Sequence, residues 1–128
     1  MSTIEPTQEQ LQEIAARPDG PVVMVNLLRY KRDADGNKVG AESYATYSEL
    51  VTPILLDIGA KPVWGGGVDS IVIADHGHQW DSVLLVEYPS PAAFIQMVTS
   101  PEYLAIHHHR VEALEEAGLI ATTPGAIF

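Results

Sequence analysis

The chain has 128 residues, 46% of them hydrophobic, enough to build one domain around a real core. Its net charge of −10 argues against nucleic acid as a partner, because phosphates attract clustered Lys and Arg. It contains no cysteine, which excludes a disulfide framework, a thiol nucleophile and a zinc site built on sulfur.

The first ten residues, MSTIEPTQEQ, have neither a cationic start nor an apolar signal core. No apolar run reaches the roughly 18 residues that would span a bilayer. The expected location is the cytoplasm, with no membrane partner. Thr7-Gln8-Glu9-Gln10 has the form of a capping box, and Leu11, Ile14 and Ala15 follow at helical spacing. The Arg17-Pro18-Asp19-Gly20-Pro21 run ends this helix, so a short peripheral helix is expected over residues 7–17.

Val22 to Lys31 is the first strand expected. Its odd positions are Val23, Val25, Leu27 and Arg29, and its even positions are Met24, Asn26, Leu28 and Tyr30. Both sets are mostly apolar, so both faces should be covered. The purely aliphatic odd set is expected against helices. The even set, with Asn26 and Tyr30, is expected to face something more polar. An amide inside an apolar strand costs free energy unless something satisfies it.

Four of the seven basic residues, Arg29, Lys31, Arg32 and Lys38, fall in one short window. They suit either a local anion-binding spot or a solvated loop. Asp33 to Lys38 is rich in turn residues. Counting twelve positions from Asp33 reaches Tyr44 where an EF-hand needs glutamate, so a calcium loop is rejected.

Ala41 to Ile58 is expected as a helix, with Tyr44, Tyr47, Val51, Ile54, Leu55 and Ile58 on one stripe. Pro53 should kink it, and Gly59 is placed to end it. Lys61 to Ala74 reads as a second strand interrupted at Gly65-Gly66-Gly67. No lysine and helix follow these glycines, so they mark a bulge or bend and not a phosphate loop. Asp75-His76-Gly77-His78 reads as a turn, and Asp81 to Tyr88 as a third strand.

Ser90-Pro91 and Ser100-Pro101 each place a good N-cap before proline at the first helical position. The second of these helices is expected to run to about Ala117 and stop at Gly118. Leu119 to Ile127 completes the chain as a strand.

Over residues 22–127 the order is β-α-β-β-α-β, the split βαβ or ferredoxin-like arrangement. The fold class expected is therefore α+β. It has a four-stranded antiparallel sheet, helices on one face and an extra N-terminal helix, all in a single domain over residues 1–128. The other sheet face still needs cover, and a second copy of the chain would supply it. A homodimer follows.

Several segments taken together also resemble one family. They are Val25-Asn26-Leu27-Leu28-Arg29-Tyr30, the Tyr44/Tyr47 helix ending in Gly59-Ala60, and the glycine-interrupted second strand. Trp80-Asp81, Val86-Glu87-Tyr88-Pro89-Ser90, and Ser100-Pro101-Glu102-Tyr103 with Arg110 complete the set. In this order, from Val22 to Ile120, the chain resembles the DUF1330 family of small bacterial proteins. The resemblance implies a ferredoxin-like dimeric α/β barrel and implies no activity.

The candidate chemistry starts from Asn26 and Glu87. Strands one and three are neighbours in this topology, so the two side chains could meet. Glu87 would then act as general base while Asn26 orients a carbonyl or a water. The alternative is a buried structural network in which they bond each other, Arg29 or Arg110.

His107 shares a helical face with Tyr103 and Arg110, a grouping suited to an acidic ligand. The three consecutive histidines His107, His108 and His109 diverge by roughly 100° each and cannot share a metal. A surface or interface role for all three is the competing reading. His76 and His78 with Asp75 would need ligands from elsewhere to hold a metal, so none is expected.

The expected site set is therefore Glu87, Asn26 and His107 for chemistry, with Arg29, Tyr30, Trp64 and Arg110 as ligand-binding residues. No cofactor is expected. The functional expectation is cofactor-independent proton transfer of isomerase, lyase, cyclase or oxygenase type on a small molecule in the barrel cavity. The alternative is a non-catalytic ligand-binding or structural homodimer.

Overall fold

A computed structural model of the chain describes residues 4–75 and 79–125. The elements run α1 (Gln8–Ala15), β1 (Val22–Tyr30), α2 (Gly40–Asp57), β2 (Lys61–Gly67), β3 (Ser82–Tyr88), α3 (Pro91–Val98), α4 (Pro101–Ala113) and β4 (Leu114–Thr122). The strands form one antiparallel sheet in the order β2-β3-β1-β4, with the two chain-order neighbours of α2 kept apart by β3. This is the ferredoxin-like arrangement.

Side-chain caps mark the starts of α1, α3 and α4. The Thr7 hydroxyl accepts from the Gln10 amide at 3.1 Å, and the Gln10 side chain accepts from the Thr7 amide at 2.9 Å. Ser90 and Ser100 accept from the amides of Ala93 and Tyr103. Pro53 lies inside α2 without ending it. It is exposed, so the carbonyl it leaves without an amide can turn to water.

The face assignment of β1 is the reverse of the sequence expectation. Val22, Met24 and Leu28 are at most 2% exposed and belong to the helix-covered core with Tyr44, Tyr47, Val51, Leu55, Phe94 and Met97. The odd set lies on the open face. Val23, Val25 and Leu27 stand opposite Glu87, Leu85 and Val83 of β3 and Thr122, Ile120 and Gly118 of β4. Alternation reveals two faces, but when both are apolar it does not say which one the helices take.

Two boundaries also move. β2 ends at Gly67, and Ile71, Val72 and Ile73 stand off the sheet, the last two 88% and 93% exposed. α4 ends at Ala113 and the chain enters β4 at once, with Leu114 opposite Tyr30. Pairing with β1 at eight positions outweighs helix propensity in the 114–117 stretch. Gly118 is therefore a mid-strand residue, packed on Leu27, and does not stop a helix. Residues 126 and 127 of the expected last strand lie outside the described residues.

Gly40 ties α2 to the sheet. Its amide donates to the Lys31 carbonyl at 3.0 Å, and the Lys31 amide donates to the Ala113 carbonyl at 2.9 Å. A Cβ on Gly40 would lie 2.0 Å from the Ala113 oxygen, so only glycine permits this approach.

Candidate functional site

The helix side of the sheet contains a cavity of about 890 Å³. Its floor is Met24 and Asn26 of β1 with Ala117, Leu119 and Ala121 of β4. Phe94 and Met97 of α3, and Tyr103, His107 and Arg110 of α4, form its sides. Leu11 and Ile14 of α1 and the segment Ile4-Glu5-Pro6 close over it. The N-terminal helix is thus part of the cavity wall and not a peripheral addition. The volume falls in the range of small-molecule sites.

Two contacts bring the N-terminal segment to α4. His107 Nε2 lies 2.8 Å from Glu5 Oε1, and the Arg110 guanidinium donates to the Ile4 carbonyl. The Glu5 carboxylate thus occupies the Nε2 side of the ring, and Nδ1 has no hydrogen-bond partner among the described residues. Glu5 carries no sequence signal for this role. The partners sit at opposite ends of the chain, beyond any helical or strand period.

The five tyrosines line the same layer. The hydroxyls of Tyr47 and Tyr103 are 2.9 Å apart in the buried interior, and both residues border the cavity. Rings follow one another from Tyr30 to Tyr44, Tyr47, Tyr103 and His107, with centroid separations between 5.3 and 6.2 Å. Burial pushes the phenols of Tyr44, Tyr47 and Tyr88 well above their ordinary pKa. The nearby Arg110 charge pulls the other way without cancelling it. These phenols remain neutral. Because one hydroxyl of the Tyr47–Tyr103 pair donates to the other, the second proton is free for a ligand.

Asn26 and Glu87 do not meet. Asn26 stands opposite Leu84 on the helix side, whereas Glu87 stands opposite Val23 on the open side. The Asn26 amide donates to the carbonyls of Met24 at 3.3 Å and Leu84 at 3.4 Å. Among the described residues its side-chain oxygen accepts no hydrogen bond, and the residue lines the cavity. Glu87 lies 3.8 Å from Lys61. Trp64 shares the open face, opposite Leu85, with its indole over Gly66. Arg29 lies 3.7 Å from Glu115 at the far end of that face. Tyr30 is on the helix side but packs on Tyr44 and donates to Ser82 Oγ at 2.9 Å, away from the cavity. Of the seven expected residues, the fold brings Asn26, His107 and Arg110 together.

The cationic window is neither an anion site nor a free loop. Arg32 at 2.8 Å and Lys38 at 3.3 Å converge on the buried carboxylate of Asp81, which also accepts the Tyr30 amide. Burial alone would raise the Asp81 pKa, but these donors outweigh it and hold the carboxyl below its usual range. Asp81 in turn donates its amide to the Leu28 carbonyl at 2.7 Å and so anchors the end of β1.

His108 and His109 stack on each other at 4.0 Å and do not line the cavity. His76 and His78 lie outside the described residues. Among the described residues no three His, Cys, Asp or Glu side chains are grouped to hold a metal, and no helix is long and apolar enough to cross a membrane.

A family model described as a domain of unknown function, DUF1330, matches residues 38–123. No curated protein matches the chain. A solved protein of unknown function from Rhodopseudomonas palustris is 35% identical, with a TM-score of 0.87 over 98% of this chain and 99% of its own. A dimeric protein of unknown function and ferredoxin-like fold from Bacteroides fragilis is 17% identical, with a TM-score of 0.56 over 80% of this chain and 95% of its own. The hydroxynitrile lyase of Passiflora edulis is 15% identical, with a TM-score of 0.64 over 87% of this chain and 99% of its own. At those two lower identities the likeness is one of fold alone.

Proposed function

Because the chain belongs to the DUF1330 family, whose function is unknown, the cavity has to supply the reading, and we propose that it carries out cofactor-independent proton transfer on a small molecule. The observation that carries this is the Glu5–His107 contact at the rim of a largely apolar cavity. A carboxylate on one imidazole nitrogen orients the ring, makes the other nitrogen the base and stabilises the cation that forms. His107 removes a proton from carbon beside a carbonyl. The free proton of the Tyr47–Tyr103 pair and the Arg110 guanidinium stabilise the resulting enolate oxygen. Imidazolium then returns the proton to a different carbon of the enolate, which gives an isomerisation, or protonates a group that the enolate expels from its β carbon, which gives an elimination of lyase type.

The open sheet face has a different role in this reading. Val23, Val25, Leu27, Leu85 and Trp64 present an apolar surface, with the Lys61–Glu87 and Arg29–Glu115 pairs at its edges. Two copies joined across it form a homodimer. Glu87, Trp64 and Arg29 then serve assembly and not chemistry.

The test is incorporation of solvent deuterium into a panel of aryl ketones and 1,3-dicarbonyl compounds, followed by proton NMR. The protein should accelerate exchange in at least one of them, and His107→Gln should abolish the acceleration. If none is accelerated while a compound binds in the cavity, the protein is a non-catalytic binder. An unchanged rate in His107→Gln would remove His107 as the base.

A further inference from the structure

The cations of the protein are unevenly matched. Arg32 and Lys38 are matched by Asp81, Lys61 by Glu87 and Arg29 by Glu115. Arg110 has no carboxylate within ion-pair distance among the described residues. It donates to one backbone carbonyl, that of Ile4, and a guanidinium has five N–H donors.

The carboxylates on the cavity wall do not pair with it. Glu5 is engaged by His107, and Glu13 on α1 is exposed to water. Tyr44, Tyr47 and Tyr88 lie close enough to feel the guanidinium, yet burial keeps them neutral. Arg17, the other cation on the wall, is bonded to the Thr123 hydroxyl at the opposite end of α1. A half-buried cation in such surroundings is costly until an anion meets it.

Much of the remaining wall is apolar, though Gln10, Glu13, Asn26 and Thr99 also border it. Met24, Phe94 and Met97 face Leu11 and Ile14 across the space. A single cation at one end suits a single negative charge. The net charge of −10 repels polyanions such as nucleotide triphosphates.

We propose that the cavity takes an amphipathic monoanion, a carboxylate or enolate head on an apolar body, with the head on Arg110 and the body against Met24, Met97 and α1. This rests on the cavity being the functional site and deepens that reading by naming the ligand class. It makes Arg110 the residue that selects for the head group.

The test uses the full chain and three probes of equal length, octanoate, octanol and octylamine, titrated by calorimetry at neutral pH. Octanoate should bind at least about tenfold more tightly than octanol, as expected for one charge-assisted hydrogen bond, and octylamine should bind most weakly. Arg110→Met should remove the advantage of octanoate over octanol, while Arg110→Lys should keep part of it. The proposal is overturned if wild-type protein binds octanol as well as octanoate, or binds none of the three at millimolar concentration. It is equally overturned if the preference survives in Arg110→Met. The wild-type comparison decides the matter even if the methionine variant does not fold.

Octanoate reports head-group recognition without turnover. Failure of deuterium exchange would therefore remove the chemistry and leave the ligand class standing, and loss of the octanoate preference would do the reverse.

Discussion

Glu5 Oε1 and His107 Nε2, from opposite ends of the chain, meet at 2.8 Å and close the rim of the cavity. In the proposed chemistry this contact leaves the other imidazole nitrogen as the base, and it forms because the segment before α1 lies against α4.

Glu5→Gln should therefore lower the deuterium-exchange rate about tenfold to a hundredfold, with binding of a cavity ligand little changed. The amide retains shape and hydrogen-bonding capacity but no longer stabilises the imidazolium. An equal rate in the variant would show that the contact serves only to fasten the N-terminal segment.

The Tyr47 and Tyr103 hydroxyls share one hydrogen bond inside the core. Removing one leaves the other buried with less than its bonding capacity, which costs about 1–3 kcal/mol. Tyr47→Phe and Tyr103→Phe should each destabilise the protein by that order in urea unfolding. The double variant should lose less than the sum of the two, because no hydroxyl is left stranded. Additive losses would mean that each hydroxyl has another partner, such as water.

Asp81→Asn should cost about 2 kcal/mol, since the carboxylate accepts from Tyr30, Arg32 and Lys38 at once. The pH dependence has a definite sign. The folded-state pKa of Asp81 lies below its ordinary value of 3.8. Its stabilisation is present above that value and is lost as pH falls through the folded-state pKa. The difference in stability between wild type and variant should thus be constant at neutral pH and shrink only on strong acidification. A difference that shrank between pH 7 and pH 5 would contradict this.

Val25 is near the centre of the open face, opposite Leu85 and Ile120. In a homodimer joined there, Val25→Asp would place a charge in an apolar interface. Sedimentation should show a dimer for wild type and a monomer for the variant, with the helix content of the two alike. A wild-type monomer at micromolar concentration would rule out the assembly. So would a variant that remains a dimer.

Much of the fold was legible from neighbouring residues. Thr7, Ser90 and Ser100 placed three helix starts, because a cap acts on amides only two or three positions away. The Tyr44, Tyr47, Val51 and Leu55 stripe placed the core face of α2 for the same local reason. The candidate site was legible in part. His107 and Arg110 are one helical turn apart and could be grouped from spacing, whereas Glu5 could not.

Local spacing determined the order of elements, their caps and the presence of two apolar faces on the first strand. Which face met the helices was decided by packing. Met24 and Leu28 fill the space under Tyr44, Tyr47 and Met97, which leaves Val23, Val25 and Leu27 outside. That decision separated Asn26 from Glu87 by the thickness of the sheet and gave Asn26 the company of His107 and Arg110. A strand pattern with period two is symmetric between its faces, and only contacts between residues distant in the chain break that symmetry.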